Sequence, residues 1–144
     1  MIIPLSLPKG VKLITYLAIN QNEAGKIFKM WTKKEPDFNN YILLNSFFFG
    51  AYDDDRIVGA VHLSIINDPF YQLRWGRIEK IYVTEECRRT GIAKELMHQA
   101  INQTIVLGCS FMRLDTENWN NAARELYKSL GFTMDYSYCL ELKQ

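Results

Sequence analysis

Residues 81–93 carry the pattern with the clearest chemical meaning in the chain. Apolar residues through Val83 indicate the end of a strand, a short polar loop follows, and the apolar spacing of a long helix starts near Thr90. The first turn of a helix presents backbone N–H groups without partners, together with the positive end of the helix dipole. Such a helix start binds phosphate groups. The pattern therefore indicates an anion site at the junction of strand and helix.

Two arginines and two small residues add to this interpretation. Arg88 and Arg89 precede the helix and bring positive charge, which suits a diphosphate better than a simple carboxylate. Gly91 has no side chain to block an approaching anion, and Ala93 is nearly as small. The alternative is that these residues only form a polar turn before a well-formed helix, and spacing alone favours neither interpretation. Neither Gly-x-x-x-x-Gly-Lys-Ser/Thr nor Gly-x-Gly-x-x-Gly occurs in the chain, which excludes the two common phosphate loops.

The loop resembles a known family signature. Residues 88–93 (RRTGIA) are similar to the coenzyme A motif Gln/Arg-x-x-Gly-x-Gly/Ala of the GNAT N-acetyltransferase superfamily. Residues 120–132 (NNAARELYKSLGF) resemble the same family's Asn-x-x-Ala-x-x-Leu-Tyr-x-x-x-Gly-Phe. One long predicted helix and one predicted strand separate the two motifs, as in the family. The resemblance is strong over residues 76–132 and only topological over residues 1–70.

The resemblance implies a binding site for acetyl-CoA as co-substrate, with no metal. Backbone groups of Ile81, Tyr82 and Val83 would bind the pantetheine arm, in a cleft where two parallel strands splay apart. Asn120 would contact the pantetheine or cap its own helix, and the two roles are compatible. Backbone N–H groups of the loop and first helical turn would hold the pyrophosphate. The residues of that segment are Arg88, Arg89, Thr90, Gly91, Ile92, Ala93 and Lys94.

Tyr127 is the candidate general acid that the resemblance implies. Transfer of an acetyl group to an amine expels a thiolate, and a nearby phenol can protonate it. From its pattern alone, Tyr127 is a core residue, because it shares a helix face with Leu126 and Leu130. No serine or cysteine nucleophile is implied, since the family transfers the acetyl group directly within a ternary complex. Cys87, beside the loop, is therefore interpreted as incidental.

Glu79 is the candidate general base. An ammonium ion has no lone pair, so an amine acceptor must lose a proton before it attacks. Strand alternation places Glu79 on the same face as Ile81 and Val83, and some members of the family carry a glutamate base at this place. A salt bridge from Glu79 to Arg77 or to a neighbouring strand is an equally good interpretation.

The elements that must position these residues form one α+β domain over residues 1–144. An aspartate-rich turn at residues 53–55 joins two of the strands, and we interpret it as a solvated turn and not a metal site. Together with the resemblance, the pattern predicts a mixed central sheet of six to seven strands, about four helices and a splayed pair of parallel strands. The predicted strands are residues 11–16, 46–52, 56–66, 74–83, 111–116 and a last one to about 142, and the predicted helices are residues 20–33, 37–44, 90–107 and 120–130.

Composition limits the classes of function. Lys and Arg number 17 and Asp and Glu 16, so the formal net charge of +1 argues against broad binding to nucleic acid or to a membrane surface. Cys87, Cys109 and Cys139 are odd in number and form no Cys-x-x-Cys, and the two histidines have no ligand spacing. Neither a disulfide framework nor a metal site is therefore expected. No apolar run is long enough to cross a bilayer and no signal peptide is recognisable, so we expect a cytoplasmic protein.

These observations predict an N-acetyltransferase that moves an acetyl group from acetyl-CoA to a primary amine of a small molecule or peptide. The alternative is a non-catalytic acyl-CoA-binding regulatory domain on the same fold, against which the presence of Tyr127, Asn120 and Gly91 argues. Residues 20–45 and 67–75 are expected to recognise the acceptor. By analogy with the family, a homodimer could form through residues 136–142.

Overall fold

The computed structural model describes residues 13–142 of the chain. This part contains five strands and three α-helices, and a single 3₁₀ turn over Glu85–Cys87 leads from the fourth strand towards the second helix. In chain order the elements are β1 (Ile14–Ile19), α1 (Gln21–Thr32), β2 (Ser46–Asp53), β3 (Arg56–Asp68), β4 (Leu73–Val83), α2 (Ile92–Val106), β5 (Phe111–Leu114) and α3 (Asn121–Ser129).

The strands form one mixed sheet in the order β1-β2-β3-β4-β5. The first four strands run antiparallel to their neighbours, and β5 pairs in parallel with β4. The last pair in that parallel ladder is Ile78 with Leu114, although β4 continues to Val83. The C-terminal half of β4 therefore has a strand partner on the β3 side alone.

The two long helices cover opposite faces of this sheet. Neighbouring residues of a strand point to opposite faces, and here Phe48 belongs to the core under α1 while Phe49 belongs to the core under α2. Ile27 of α1 and Leu96 of α2 are fully buried in their respective clusters. Each helix thus buries an apolar stripe, and β2 and β3 lie between the two clusters.

A glycine on β4 sets the close approach of α2. A Cβ added at Gly76 would lie 2.9 Å from both Cγ2 and Oγ1 of Thr104, a separation that real Cβ atoms do not show. The Thr104 hydroxyl is buried, and it donates a hydrogen bond to the Ala100 carbonyl at 2.8 Å. Gly76 therefore allows helix and strand to pack without a rearrangement of that turn.

The predicted helix over residues 37–44 is wrong. Asp37 forms a single turn in which its carboxylate accepts hydrogen bonds from the backbone and side-chain nitrogens of Asn40. Such short polar side chains compete with helical hydrogen bonds. Tyr41, Ile42 and Leu44 are all exposed, so a helix here would have had no apolar face to bury.

The predicted last strand is also wrong. Residues 133–142 have no regular structure, although their apolar side chains alternate as in a strand. Met134, Tyr136 and Tyr138 are almost fully exposed. A strand needs a ladder partner and a face to cover, and this segment has neither within the described residues. The sheet accordingly has five strands and the described chain three α-helices, fewer than the six to seven strands and four helices expected.

Other predicted boundaries shift by small amounts. The first strand is Ile14–Ile19, and residues 11 and 12 of its predicted range lie outside the described residues. The second long helix begins at Ile92 and β5 ends at Leu114, each two residues short of the prediction. No helix within residues 13–142 has the length and apolar content needed to cross a bilayer.

Candidate active site

A β-bulge interrupts β4 at the point where β5 separates from it. On β3, His62 pairs with Lys80 and the next residue pairs with Ile78, so Glu79 has no Cα partner. Ile78 and Ile81, on either side of the bulge, both pack with the core under α2. The intervening Glu79 and Lys80 are therefore both free to lie on the opposite, open face of the sheet.

The bulge corrects one prediction about Glu79. Strict alternation placed this side chain on the face of Ile81 and Val83, but those two residues pack into the α2-side core and Glu79 does not. Its carboxylate instead lies 3.5 Å from Nε of Arg77. The predicted ion pair with Arg77 is thus confirmed. The same guanidinium also reaches Asp115, just beyond the end of β5, at 2.8 Å.

The end of β4 beyond the bulge exposes one edge of the sheet. This edge consists of Ile81, Tyr82 and Val83, which pair with β3 and have no strand of the described chain on their other side. Arg88 folds back onto this end, where its Nε donates to the Val83 carbonyl at 3.1 Å and its guanidinium lies 5.4 Å from the centre of the Tyr82 ring. The Arg88 side chain therefore closes one end of the exposed edge, and the backbone groups before it remain open.

The start of α2 is an uncapped helix end. Gly91 is the N-cap residue, with φ of +85°, and no side chain caps the helix. Arg89 has φ of +61°, so two left-handed residues close together turn the chain into the helix. A Cβ added at Gly91 would have no atom within 4 Å, which shows that the space in front of the helix is open. Buried Ile92 anchors the first turn, while its N–H and those of Ala93 and Lys94 have no intrahelical partner.

Thr90 ties the loop together just before the helix. Its hydroxyl donates a hydrogen bond to the Cys87 carbonyl at 2.5 Å. Cys87 is a buried free thiol in the core under α2, so it packs and does not face the open space. This pattern fixes the loop by side-chain and apolar contacts. The backbone N–H groups that follow are left for a ligand.

The two residues predicted on the last helix lie at its start and on its inner face. Asn120 caps α3, because its Oδ1 accepts a hydrogen bond from the Ala123 N–H at 3.2 Å. Tyr127 packs against the same core cluster that contains Val83 and Ile92, with its ring edge towards Phe132 at 6.0 Å between ring centres. Burial raises the pKa of the Tyr127 phenol, which therefore stays protonated at neutral pH.

The comparison with known proteins decides the family. Residues 15–132 match the model described as the acetyltransferase (GNAT) family. The chain belongs to this family. Human N-acetyltransferase 8 is 32% identical over 87 residues, which are 60% of this chain and 38% of that protein. Thialysine N-epsilon-acetyltransferase from Bos taurus is 39% identical over 54 residues, 38% of this chain and 32% of that protein. The chain thus matches less than two fifths of the length of these curated relatives.

Solved structures show the same fold. AAC(6')-Iy in complex with the bisubstrate analog CoA-S-monomethyl-acetylneamine matches with a TM-score of 0.76 and 20% sequence identity. That comparison covers 92% of this chain and 99% of the other. The α+β GNAT-like fold with a mixed sheet is therefore confirmed.

A stack of side chains on the open face of this GNAT domain was missed by sequence reasoning. The Trp31 indole at the end of α1 stacks on the Tyr82 ring with 6.1 Å between ring centres and 18° between planes. The ammonium of Lys80 lies over the Trp31 ring, 5.8 Å from its centre. Trp31 lies in the segment 20–45 that was expected to recognise the acceptor, but nothing local in the sequence indicates contact with residues about fifty positions away.

A buried histidine lies beneath this face. His62 is 7% exposed, stacks on Phe48 and is joined to the Ser46 hydroxyl at 2.9 Å. Burial, with a smaller contribution from the Lys80 charge, lowers the pKa of His62 to about 4. His62 is therefore neutral at physiological pH. Within residues 13–142 no group of three or more His, Cys, Asp or Glu side chains is arranged to hold a metal ion.

Proposed function

We propose that this GNAT protein transfers an acetyl group from acetyl-CoA to a primary amine of a small molecule or peptide. The observation that carries the proposal is the uncapped start of α2, with Gly91 in a left-handed conformation, directly after the exposed edge of β4. A diphosphate fits the first feature and an extended amide-containing arm fits the second. The names of the matched relatives, which include acetyltransferases of thialysine, support an amine acceptor.

The residues present fit acetyl-CoA as co-substrate. Backbone N–H groups from Arg89 to Lys94 would hold the pyrophosphate, where the helix dipole favours negative charge and Gly91 leaves the approach open. Backbone groups on the outer edge of Ile81, Tyr82 and Val83, apart from the Val83 carbonyl that accepts from Arg88, would bond the pantetheine amides, much as an added strand bonds a sheet edge. Arg88 would close the exposed edge at its pyrophosphate end.

Glu79 would take the proton of the acceptor. It lies on the open face at the bulge, and Arg77 holds its carboxylate in place. The ammonium would lose one proton to Glu79, directly or through a water, and the free amine would then form a C–N bond to the thioester carbonyl carbon as the C–S bond breaks. The second proton of the amine nitrogen would leave as the amide forms and end on the departing thiolate. The bulge leaves the carboxylate outside the α2-side core, where an acceptor amine could reach it.

Tyr127 would assist the leaving thiolate. Burial raises the pKa of its phenol, which is therefore protonated at neutral pH. The Tyr127 phenol would donate a hydrogen bond to the developing thiolate and pass its proton on as the C–S bond breaks, while it regains a proton from the amine nitrogen as the amide forms. Asn120 fixes the start of the helix that carries Tyr127.

The cysteine pattern supports a cytoplasmic site of action. Cys87, Cys109 and Cys139 are all free thiols within the described chain, as is usual in a reducing compartment.

An amine panel tests the function. Purified protein with acetyl-CoA and a series of primary amines should release CoA thiol faster than buffer for at least one amine. Gly91→Glu provides the inactive control. If acetyl-CoA binds in a calorimeter but no amine is acetylated, the proposal of an N-acetyltransferase is wrong and the alternative of a non-catalytic acyl-CoA-binding domain is favoured.

A further inference from the structure

Two opposite charges lie next to each other on the open face of the proposed active site. Ordinary alternation would place Glu79 and Lys80 on opposite faces of β4, but the bulge leaves both outside the α2-side core. Consecutive Cα atoms are about 3.8 Å apart, so the two groups lie within the span of one small molecule. The site therefore has a charge pattern as well as an opening.

The acidic side of this pattern carries a net negative charge. Arg77 is shared between Glu79, at 3.5 Å, and Asp115, at 2.8 Å. One guanidinium against two carboxylates leaves one negative charge uncompensated. An incoming ammonium ion would supply the positive charge that balances it.

The basic side carries a positive charge without a carboxylate partner. No acidic side chain of the described residues lies within ion-pair distance of the Lys80 ammonium, which instead lies 5.8 Å from the centre of the Trp31 ring. Trp31 is 51% exposed, so a ligand can reach both the indole and the ammonium. His62 beneath them is neutral and adds no charge. A bound anion would thus meet Lys80 beside an apolar surface.

We infer that the acceptor carries an anionic group close to the amine that is acetylated, and that Lys80 beside Trp31 determines this specificity. The inference rests on the proposed function, because it concerns the acceptor of that same site. Glu79 receives the ammonium end and Lys80 the anionic end. A polyamine or another polycation would bring its second positive charge against Lys80, which disfavours it by like-charge repulsion.

Matched pairs of acceptors test the inference, because each pair differs only in the anion. The pairs are lysine and cadaverine, a dipeptide with a free and an amidated carboxyl end, and phosphoethanolamine and ethanolamine. The first two report on a carboxylate and the third on a phosphate. One charge-assisted hydrogen bond is worth roughly a tenfold change in binding. We therefore expect about a tenfold lower KM for the anionic member of at least one pair.

Variants of Lys80 assign the effect. Lys80→Gln should raise the KM of the preferred anionic acceptor about tenfold. The kcat of that acceptor and the KM of its partner without the anionic group should change little. Lys80→Glu should reverse the preference. Lys26→Gln is the matched control, since Lys26 lies on the same helix as Trp31 but pairs with Glu23 at 2.7 Å. Thermal unfolding checks that all variants are folded.

The outcomes separate this inference from the proposed function. The inference would be overturned by turnover that favours the member without the anionic group in every pair. It would also be overturned if Lys80→Gln acted equally on both members of a pair. Either result would leave the proposed acetyltransferase activity standing. Absence of turnover with every amine, despite measured acetyl-CoA binding, would remove both.

Discussion

Replacing Gly91 with glutamate should abolish coenzyme A binding while the domain stays folded. The residue has φ of +85°, a conformation that costs an L-residue about 1–2 kcal/mol. No steric clash adds to this cost, because a Cβ at this place meets no atom within 4 Å. Single domains are stable by roughly 5–15 kcal/mol, so the variant should remain folded with a Tm lower by about 3–7 °C.

The larger effect falls on the ligand. A glutamate carboxylate at the start of α2 would lie where the diphosphate approaches. Two unit charges about 5 Å apart at an effective dielectric constant of about 20 repel by about 3 kcal/mol. This corresponds to at least about a hundredfold loss of affinity, before the lost close approach to the backbone is counted. Gly91→Ala adds the backbone cost without the charge and should bind much more strongly than the glutamate variant.

Calorimetry with coenzyme A, together with thermal unfolding, measures both effects. Gly108 supplies the matched control, because it also has a positive φ, +73°, and open space at its Cβ, but it follows the other end of α2. Gly108→Glu should therefore lose similar stability and keep coenzyme A affinity. If Gly91→Glu binds coenzyme A within threefold of the unaltered protein, the helix start is not the pyrophosphate site.

Three other changes test the roles of single side chains. Tyr127→Phe should lower kcat by about a hundredfold and leave acetyl-CoA affinity nearly unchanged, as measured by turnover assays and calorimetry. An unchanged kcat would remove Tyr127 from the mechanism. Glu79→Gln should flatten the acidic limb of the pH–rate profile, whereas an unshifted limb assigns the base elsewhere. His62 has its pKa lowered to about 4 from 6.5, so it contributes stability that is complete above pH 6.5 and is lost as the pH falls through about 4. In denaturant unfolding, the free energy of unfolding of His62→Phe should therefore fall less on acidification than that of the unaltered protein, by up to about 3 kcal/mol. His98→Gln should show the same fall as the unaltered protein.

The parts of the fold that could be predicted are those decided by local signals. Asn20 caps α1 through its side chain and Lys33 ends it in a left-handed conformation, and both boundaries follow from residues within one turn. The hairpin of β2 and β3 and the strand–loop–helix segment through Gly91 are local in the same sense. These elements carry the cofactor half of the candidate site, which explains why its residues could be named from two short motifs.

The parts that could not be predicted depend on distant partners. Residues 133–142 alternate as a strand does, and only the absence of a ladder partner in the described chain leaves them irregular. The stack of Trp31 on Tyr82 likewise joins the end of α1 to β4 across the fold. Periodicity reports which face of an element is apolar. It does not report what lies opposite that face.

The error about Glu79 has the greatest functional weight of these. Whether β4 contains one extra residue is decided by its register with β3, which no window of the β4 sequence contains. That one residue reverses the face of everything before it, so Gly76 and Ile78 share the α2 side with Ile81 and Val83 although the parity of their numbers differs. The same insertion frees Glu79 and Lys80 from the core at the place where β5 leaves β4. A single irregularity in strand pairing therefore accounts for the outward acid and the adjacent cation together, at the place where the edge of β4 becomes exposed.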